Sequence, residues 1–437
     1  MYTEIKKTVA EQAALCGADA YEITINGSAS AGAETLGQEI SSVTYQRSGG
    51  MTVRCVKNNK SGYASSHSVT VEEAARLVRS ACANALVVDH EDELPLFEGS
   101  DSYETAEAAS AAMPSADELK AMALELQQKT LASSDKIVDG TQSFAGCDSS
   151  TTVFLNSAGL DLRYENAIVY HGVVAAVKDG EEAAEEYMVA SVAKKTPDEL
   201  VKTVVDGALS KLGGEPVASG KYDLILDSGA MRSMLSTFSA VFSAKSAFLK
   251  TTLLAGKEGQ QVAGEVLTIT DDPFHPDKYS HCPFDAEGVA VRKKNVIENG
   301  ILKTLLYNRM YAGKFGVETT GNAASAKEIT PKGLYVAAGE LTKEALLEKL
   351  GNGLYITELK GLHAGANVQS GDFSLEAAGF LVENGKKVRP VKNITVADNF
   401  FTMLKKVAAL SDKVEFGAVD NYGAPEVLLK DMSVSGK

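Results

Sequence analysis

Two short tetrads constrain the C-terminal half of this chain more than any other feature: Ile297-Glu298-Asn299-Gly300 and Val382-Glu383-Asn384-Gly385. Asn and Gly tolerate the positive φ of a type I′ turn, so each tetrad predicts a tight β-hairpin. Gly379 to Glu383 and Lys387 to Val391 form the arms of one, and Val291 to Glu298 and Ile301 to Tyr307 the arms of the other. The similarity of the tetrads suggests two hairpins of one type in one sheet. Between them, Gly365 to Gly379 is rich in glycine, alanine and serine. Backbone with such small side chains lies close to other backbone, either as a bulged strand or as an edge along which an extended peptide binds.

Upstream, helical and strand signals mix. Thr3 to Cys16 carries Ile5, Val9, Ala13 and Cys16 on one side of a helix, and Ala20 to Ile25 alternates as a strand. Gly27 to Gly37 reads as a turn or mobile loop, and Gly49-Gly50 and Asn58-Asn59 as turns between short strands. Thr70/Glu73 and Ser115/Glu118 are capping boxes for two further helices, and His90 to Ala112 is a long acidic connection. Strands are predicted at Lys136 to Gly146, Thr151 to Asn156, Leu160 to Val177 and Glu185 to Ala193, and Thr196-Pro197 opens another helix. Lys221 to Asp227 reads as a strand and Gly229 to Phe242 as a helix. The fold class is α+β. At 437 residues the chain exceeds the usual size of one core, which gives two expected domains. Residues 1–215 form a mixed α+β domain, and 216–437 a mostly antiparallel β domain, built as a curved sheet or open barrel.

Charge and composition exclude several function classes. The net charge is −15 and no basic stripe is present, which argues against direct nucleic-acid binding. No segment approaches the roughly 18 apolar residues of a membrane span, and Met1 to Gln12 lacks the apolar core of a signal peptide. The five cysteines are scattered without a CxxC, which suits reduced thiols and a cytoplasmic protein.

Several motifs in one order carry a resemblance: Asp271-Asp272-Pro273, Pro283-Phe284-Asp285-Ala286-Glu287-Gly288-Val289, Glu298-Asn299-Gly300-Ile301-Leu302, Thr320-Gly321-Asn322-Ala323, Ser370 to Gly385, and Ala397-Asp398-Asn399-Phe400. Together they resemble the TldD/PmbA family, proteins also labelled modulators of DNA gyrase. The match covers the whole C-terminal half and, more weakly, the N-terminal half. The family's active branch are metallopeptidases, whose helix at the position of Gly229 to Phe242 carries His-Glu-x-x-x-His. That spacing places both imidazoles on one helical side to hold a metal.

Here that stretch has neither His nor Glu, and no histidine lies between His171 and His275. The family's further ligand, a cysteine near the C-terminus, is also missing, since Cys282 is the last one. The chain therefore resembles the metal-free PmbA or TldE-type branch. That resemblance implies no catalytic residue and no cofactor in this chain. It also implies a TldD-type partner holding a divalent metal such as zinc, and an unfolded peptide that the assembly degrades or trims. Candidate channel-lining residues are His363, Asn367, Ser370, Asp372, Phe373 and Ser374. An alternative from a different class is an independent homodimeric peptide- or protein-binding regulator without hydrolytic activity. A further alternative is a metal site in the loop Asp271 to Cys282, where His275, His281 and Cys282 offer zinc-type ligands without a recognised spacing.

Overall fold

The computed structural model describes residues 2–89, 94–105 and 113–437. Six strands come first: β1 (Ala20–Leu36), β2 (Glu39–Lys57), β3 (Lys60–Ser66), β4 (Gln142–Asn156), β5 (Asp161–Asp179) and β6 (Glu182–Ser191). They form one antiparallel sheet in the order β3-β2-β1-β4-β5-β6. Helices α1 (Tyr2–Cys16), α2 (Val71–Leu86), α3 (Ala116–Ala132) and α4 (Pro197–Ser210) supply the apolar stripes that cover it. Ile5, Val9, Leu77 and Val78 meet Ile23, Ile25, Val53 and Cys55. Leu119 and Ala123 meet Ala33, Ala145 and Cys147, and Leu200 and Val204 meet Val173, Ala175 and Val177. Burying each such Leu, Ile or Val stabilises the fold by about 1.5–3 kcal/mol. The predicted caps are formed. Thr70 accepts the Glu73 N–H, but the Glu73 carboxylate pairs with Arg76 and does not close the predicted box, while Ser115/Glu118 and Thr196/Glu199 are reciprocal capping boxes.

Three expectations need correction. Gly27 to Gly37 is no mobile loop: β1 runs through to Leu36, with Gly27 opposite both Gly49 and Thr151. Gly49-Gly50 is no turn, because it lies inside β2. In both places hydrogen-bond ladders with neighbouring strands override the low strand propensity of glycine. Lys136 to Thr141 is also outside any strand, and β4 starts at Gln142. Of the predicted connection from 90 to 112, residues 90–93 and 106–112 lie outside the described residues. Residues 94–105 are irregular and bind the C-terminal half: the Tyr103 hydroxyl donates to the Gly288 carbonyl at 2.8 Å, and Arg309 to that of Pro95 at 2.7 Å.

The C-terminal half is rich in antiparallel strands. β7 (Gly220–Leu226) precedes helix α5 (Ser228–Phe238). Then come β8 (Ile269–Asp271), β9 (Lys294–Glu298), β10 (Ile301–Leu302), α6 (Arg309–Phe315), β11 (Leu334–Val336) and α7 (Lys343–Leu350). The chain continues through β12 (Gly353–Lys360), α8 (Leu362–Gly365), β13 (Asp372–Glu383), β14 (Lys386–Asn399) and α9 (Phe400–Lys405). It ends with β15 (Val407–Leu410), β16 (Glu415–Phe416), β17 (Tyr422–Ala424) and β18 (Val427–Ser435). One sheet runs β14-β13-β12-β7-β18-β15 and closes into a barrel where Thr395, Val396 and Ala397 of β14 pair with Ser435, Val434 and Ser433 of β18. A second runs β10-β9-β8-β11-β17-β16. Helix α5 is buried between them, its Met231, Met234, Leu235 and Phe238 sharing one core with Leu226, Ile356, Ile269 and Val336.

Asn299 and Asn384, with φ of 49° and 52°, make the predicted hairpin turns with Gly300 and Gly385. The hairpins belong to different sheets, contrary to the expectation of one. Local turn chemistry sets each hairpin, whereas its neighbours come from remote segments. Among the described residues no helix is long and apolar enough to cross a membrane.

Candidate functional site

Helix α5 is where a metal motif would have to be, and its local sequence explains its placement. Asp227 follows β7 directly and caps the helix by accepting the Ala230 N–H at 2.8 Å. Burial pushes this carboxyl up to about 6. The apolar residues point into the core, leaving Arg232, Ser233 and Ser236 on the more accessible face. Arg232 Nη1 lies 3.3 Å from Asp420 Oδ2, and its buried Nε has no hydrogen-bond partner among the described residues. Ser233 Oγ donates back to the Gly229 carbonyl at 3.0 Å. The Tyr422 hydroxyl and Ser239 Oγ are 3.1 Å apart.

This donor set does not fit a zinc-type metal. A guanidinium offers no lone pair, and hydroxyls are weak ligands beside imidazole, thiolate or carboxylate. No chemical step at this face is therefore assigned to a metal. Among the described residues, no group of three or more His, Cys, Asp and Glu side chains is arranged to hold one.

The glycine-rich stretch lies against the same helix. Phe373 is buried and meets Phe238 edge-on, with ring centroids 6.3 Å apart. Asn367 organises the turn before β13, its Oδ1 accepting the N–H groups of Gln369 and Ser370 at 3.0 and 3.1 Å. Ser370 Oγ accepts the Asp372 N–H at 3.3 Å. Asn399 Nδ2 donates to Asp372 Oδ1 at 2.9 Å, and side-chain hydrogen bonding to the carboxylate from Asn399 first and Ser370 second holds it below its usual range. Asn367, Asp372, Phe373 and Ser374 line a shallow cavity of about 800 Å³. His363 is exposed on α8, and neither it nor Ser370 is among the lining residues.

The glycines here serve close approach within the chain. A Cβ on Gly379 would sit 2.0 Å from the Tyr355 carbonyl oxygen, and one on Gly365 2.4 Å from that of Ser374. From Glu376 to Val382, β13 pairs with β12 on one side and β14 on the other, so that part of the stretch is no free edge.

In the loop from Asp271 to Cys282, the histidines turn to other partners. The His275 ring lies 4.9 Å from Tyr335 and 4.5 Å from Phe416, and its Nδ1 accepts the Asp277 N–H at 3.2 Å. His281 Nε2 is 3.3 Å from the His275 carbonyl oxygen. Burial pushes the Cys282 thiol up. Asp271, by contrast, is a structural brace. It is fully buried, with Oδ2 3.0 Å from Lys294 Nζ and Oδ1 accepting the N–H groups of Lys332 and Gly333, both at 2.7 Å. Asp285 likewise accepts the N–H groups of Glu287, Val289 and Ala323.

A second cavity, of about 660 Å³, was not legible in the sequence. Glu22 and Arg54 of the first sheet form one wall and Asp285 and Glu287 another. Arg54 Nη1 is 2.8 Å from Glu22 Oε2. Burial, followed by the charge of Asp285, pushes Glu287 up to about 8. No local pattern joins residues so far apart in the chain.

Comparison with known proteins places this geometry in a family. The model of the PmbA/TldA metallopeptidase C-terminal domain matches residues 219–436, that of domain 1 matches 21–85, and that of the central domain matches 110–212. The chain belongs to the PmbA/TldD family. A Metalloprotease PmbA homolog of Haemophilus influenzae is 28% identical over 412 residues, covering 91% of this chain and 88% of that protein. Metalloprotease PmbA of Escherichia coli O157:H7 is 26% identical, covering 96% and 93%. The crystal structure of a proposed modulator of a DNA gyrase from Thermotoga maritima is 28% identical, with a TM-score of 0.92 and full coverage of both chains. TldE from Thermococcus kodakarensis shares the fold at 23% identity and a TM-score of 0.86, covering 98% of this chain and 100% of that one. Within the PmbA/TldD family, the motifs read from the sequence include structural braces, since Asp271 and Asp285 tie down backbone.

Proposed function

We propose that this chain is the metal-free subunit of a PmbA/TldD-type peptidase assembly that degrades or trims unfolded peptides. A TldD-type homologue supplies the divalent, zinc-type metal. The observation that carries this reading is the accessible face of α5, where a guanidinium paired with Asp420 stands in place of metal ligands. The chain's own part is to bind and orient extended peptide beside that helix. Asn367, Asp372 and Ser374 are the polar contacts, and the buried Phe373 is the floor. In this reading residues 1–215 and 216–437 act as two units flanking the peptide path.

The test is hydrolysis of an unfolded protein substrate by the pure chain, by a TldD-type partner and by their mixture, with metal content measured on each. The expected result is no hydrolysis and no stoichiometric metal in this chain alone, and higher activity in the mixture than in the partner alone. Chelator-sensitive hydrolysis by the pure chain would falsify the proposal.

A further inference from the structure

The cavity between the first sheet and the C-terminal half has a volume of about 660 Å³, within the roughly 300–1,000 Å³ of small-molecule sites. One wall is the face of the first sheet turned away from α1 and α2. Ile23, Ile25 and Val153 pack under those helices, so the alternation of side chains along a strand turns Thr24 and Thr152 to the cavity, beside the Glu22–Arg54 pair. The other wall comes from the C-terminal half and carries Glu287 and Lys332. Tyr164 and Phe284, which also line the cavity, meet edge-on with ring centroids 5.0 Å apart.

Most charged groups here are committed within the chain. Glu22 and Arg54 pair at 2.8 Å. Asp285 accepts three backbone N–H groups. Arg309 donates to the Pro95 carbonyl and lies 5.1 Å from the Phe97 ring centroid. Glu287 and Lys332 differ. Glu287 Oε2 accepts the Arg309 N–H at 2.9 Å, but Oε1 has no partner among the described residues. Lys332 Nζ donates to the Ala323 carbonyl at 2.9 Å and, among the described residues, to nothing else. Neither makes an ion pair with the other or with any described residue. Both side chains are half-buried, so an ionic contact there is screened less than one in bulk water.

We infer that this cavity binds a short peptide with both ends free, its terminal ammonium at Glu287 and its terminal carboxylate at Lys332. A zwitterion satisfies both groups at once. A purely anionic or purely cationic ligand would leave one of them unpaired as the cavity fills, which is costly. Burial holds Glu287 up at about 8, and a ligand ammonium beside it restores the carboxylate, because an opposite charge favours the ionised form. The threonine hydroxyls can donate to or accept from the peptide backbone. The Tyr164–Phe284 pair gives its side chains an apolar surface. The site uses no residue of the α5 face and does not depend on the peptidase reading.

Isothermal titration of the full chain with trialanine, N-acetyl-trialanine and trialanine amide tests this. Trialanine is expected to bind about tenfold more tightly than either blocked form, the cost of one charge-assisted contact. Glu287→Gln keeps an acceptor for the Arg309 N–H and should abolish the preference for a free amine while leaving that for a free carboxylate. Lys332→Gln should do the reverse. Lys327→Gln, at an exposed lysine on the same cavity, should change neither. The blocked peptides probe the wild type itself, so the outcome does not hinge on the stability of a variant. Absence of trialanine binding overturns the proposal, as does binding indifferent to the blocked ends. A preference for a free amine that survives Glu287→Gln, or for a free carboxylate that survives Lys332→Gln, overturns it as well.

Discussion

Phe238 and Phe400 stack face to face, their ring centroids 4.4 Å apart and their planes 10° from parallel. Phe238 ends helix α5 and Phe400 begins α9, directly after β14. The pair therefore fastens the helix that would carry a metal motif to the barrel strand beside the glycine-rich stretch. Both rings are completely buried. Phe400→Ala should destabilise the protein by about 3–5 kcal/mol, through lost burial and the cavity left behind. Urea titration checks this, and Phe400→Leu should cost distinctly less.

Asp271 should behave as a buried ion whose removal strands its partners. Burial pushes its carboxyl up, but Lys294, Asn322 and the Gly333 N–H outweigh that and hold it below the ordinary range. Asp271→Ala should cost about 3–5 kcal/mol, because it leaves the Lys294 charge and two backbone N–H groups unpaired. The native carboxylate's contribution is present above the unfolded-state value of about 3.9 and is lost as pH falls through the lower folded value. Denaturant midpoints measured from pH 6 downward should fall for the wild type and flatten for Asp271→Asn.

Glu287 has the opposite sign. Its folded value of about 8 lies above its ordinary 4.5, so the folded state binds the proton more tightly. Between those values the folded protein holds more protons than the unfolded chain, and stability falls as pH rises. Glu287→Gln removes this slope while keeping an oxygen to accept the Arg309 N–H, bonded at 2.9 Å. The variant should gain relative to wild type at pH 8 compared with pH 5, as read from melting temperatures at the two values.

Two glycines should respond to alanine in opposite ways. Gly379→Ala drives a Cβ to 2.0 Å from the Tyr355 carbonyl oxygen and should cost about 1–3 kcal/mol or more. Gly27→Ala meets nothing within 4 Å and has no positive φ, so it should be neutral or stabilise by up to about 1 kcal/mol. Chemical denaturation of the pair tests whether the glycine-rich character of each segment reflects close packing or only tolerance.

Whatever depended on neighbours in sequence was legible. Thr70, Ser115 and Thr196 cap the predicted helices, and Asn58-Asn59, Asn299-Gly300 and Asn384-Gly385 make turns, because each acts within a few residues of backbone. The family resemblance and the absence of His and Glu from α5 were likewise read from the residues alone. The sequence also singled out Gly365 to Gly379 as one stretch, although not the aromatic contact through which Phe373 meets Phe238.

Only the tertiary structure decided the rest. Glycines at 27, 49 and 50 suggested loops, yet they lie in strands because neighbouring strands supply their hydrogen bonds. The barrel closes where Val396 meets Val434, and the cavity walled by Glu22 and Glu287 joins the two ends of a long separation in the chain. The physical reason is the range of the forces. Turn and cap energies are local and leave a mark in adjacent residues, while strand pairing and cavity shape depend on which distant segments meet.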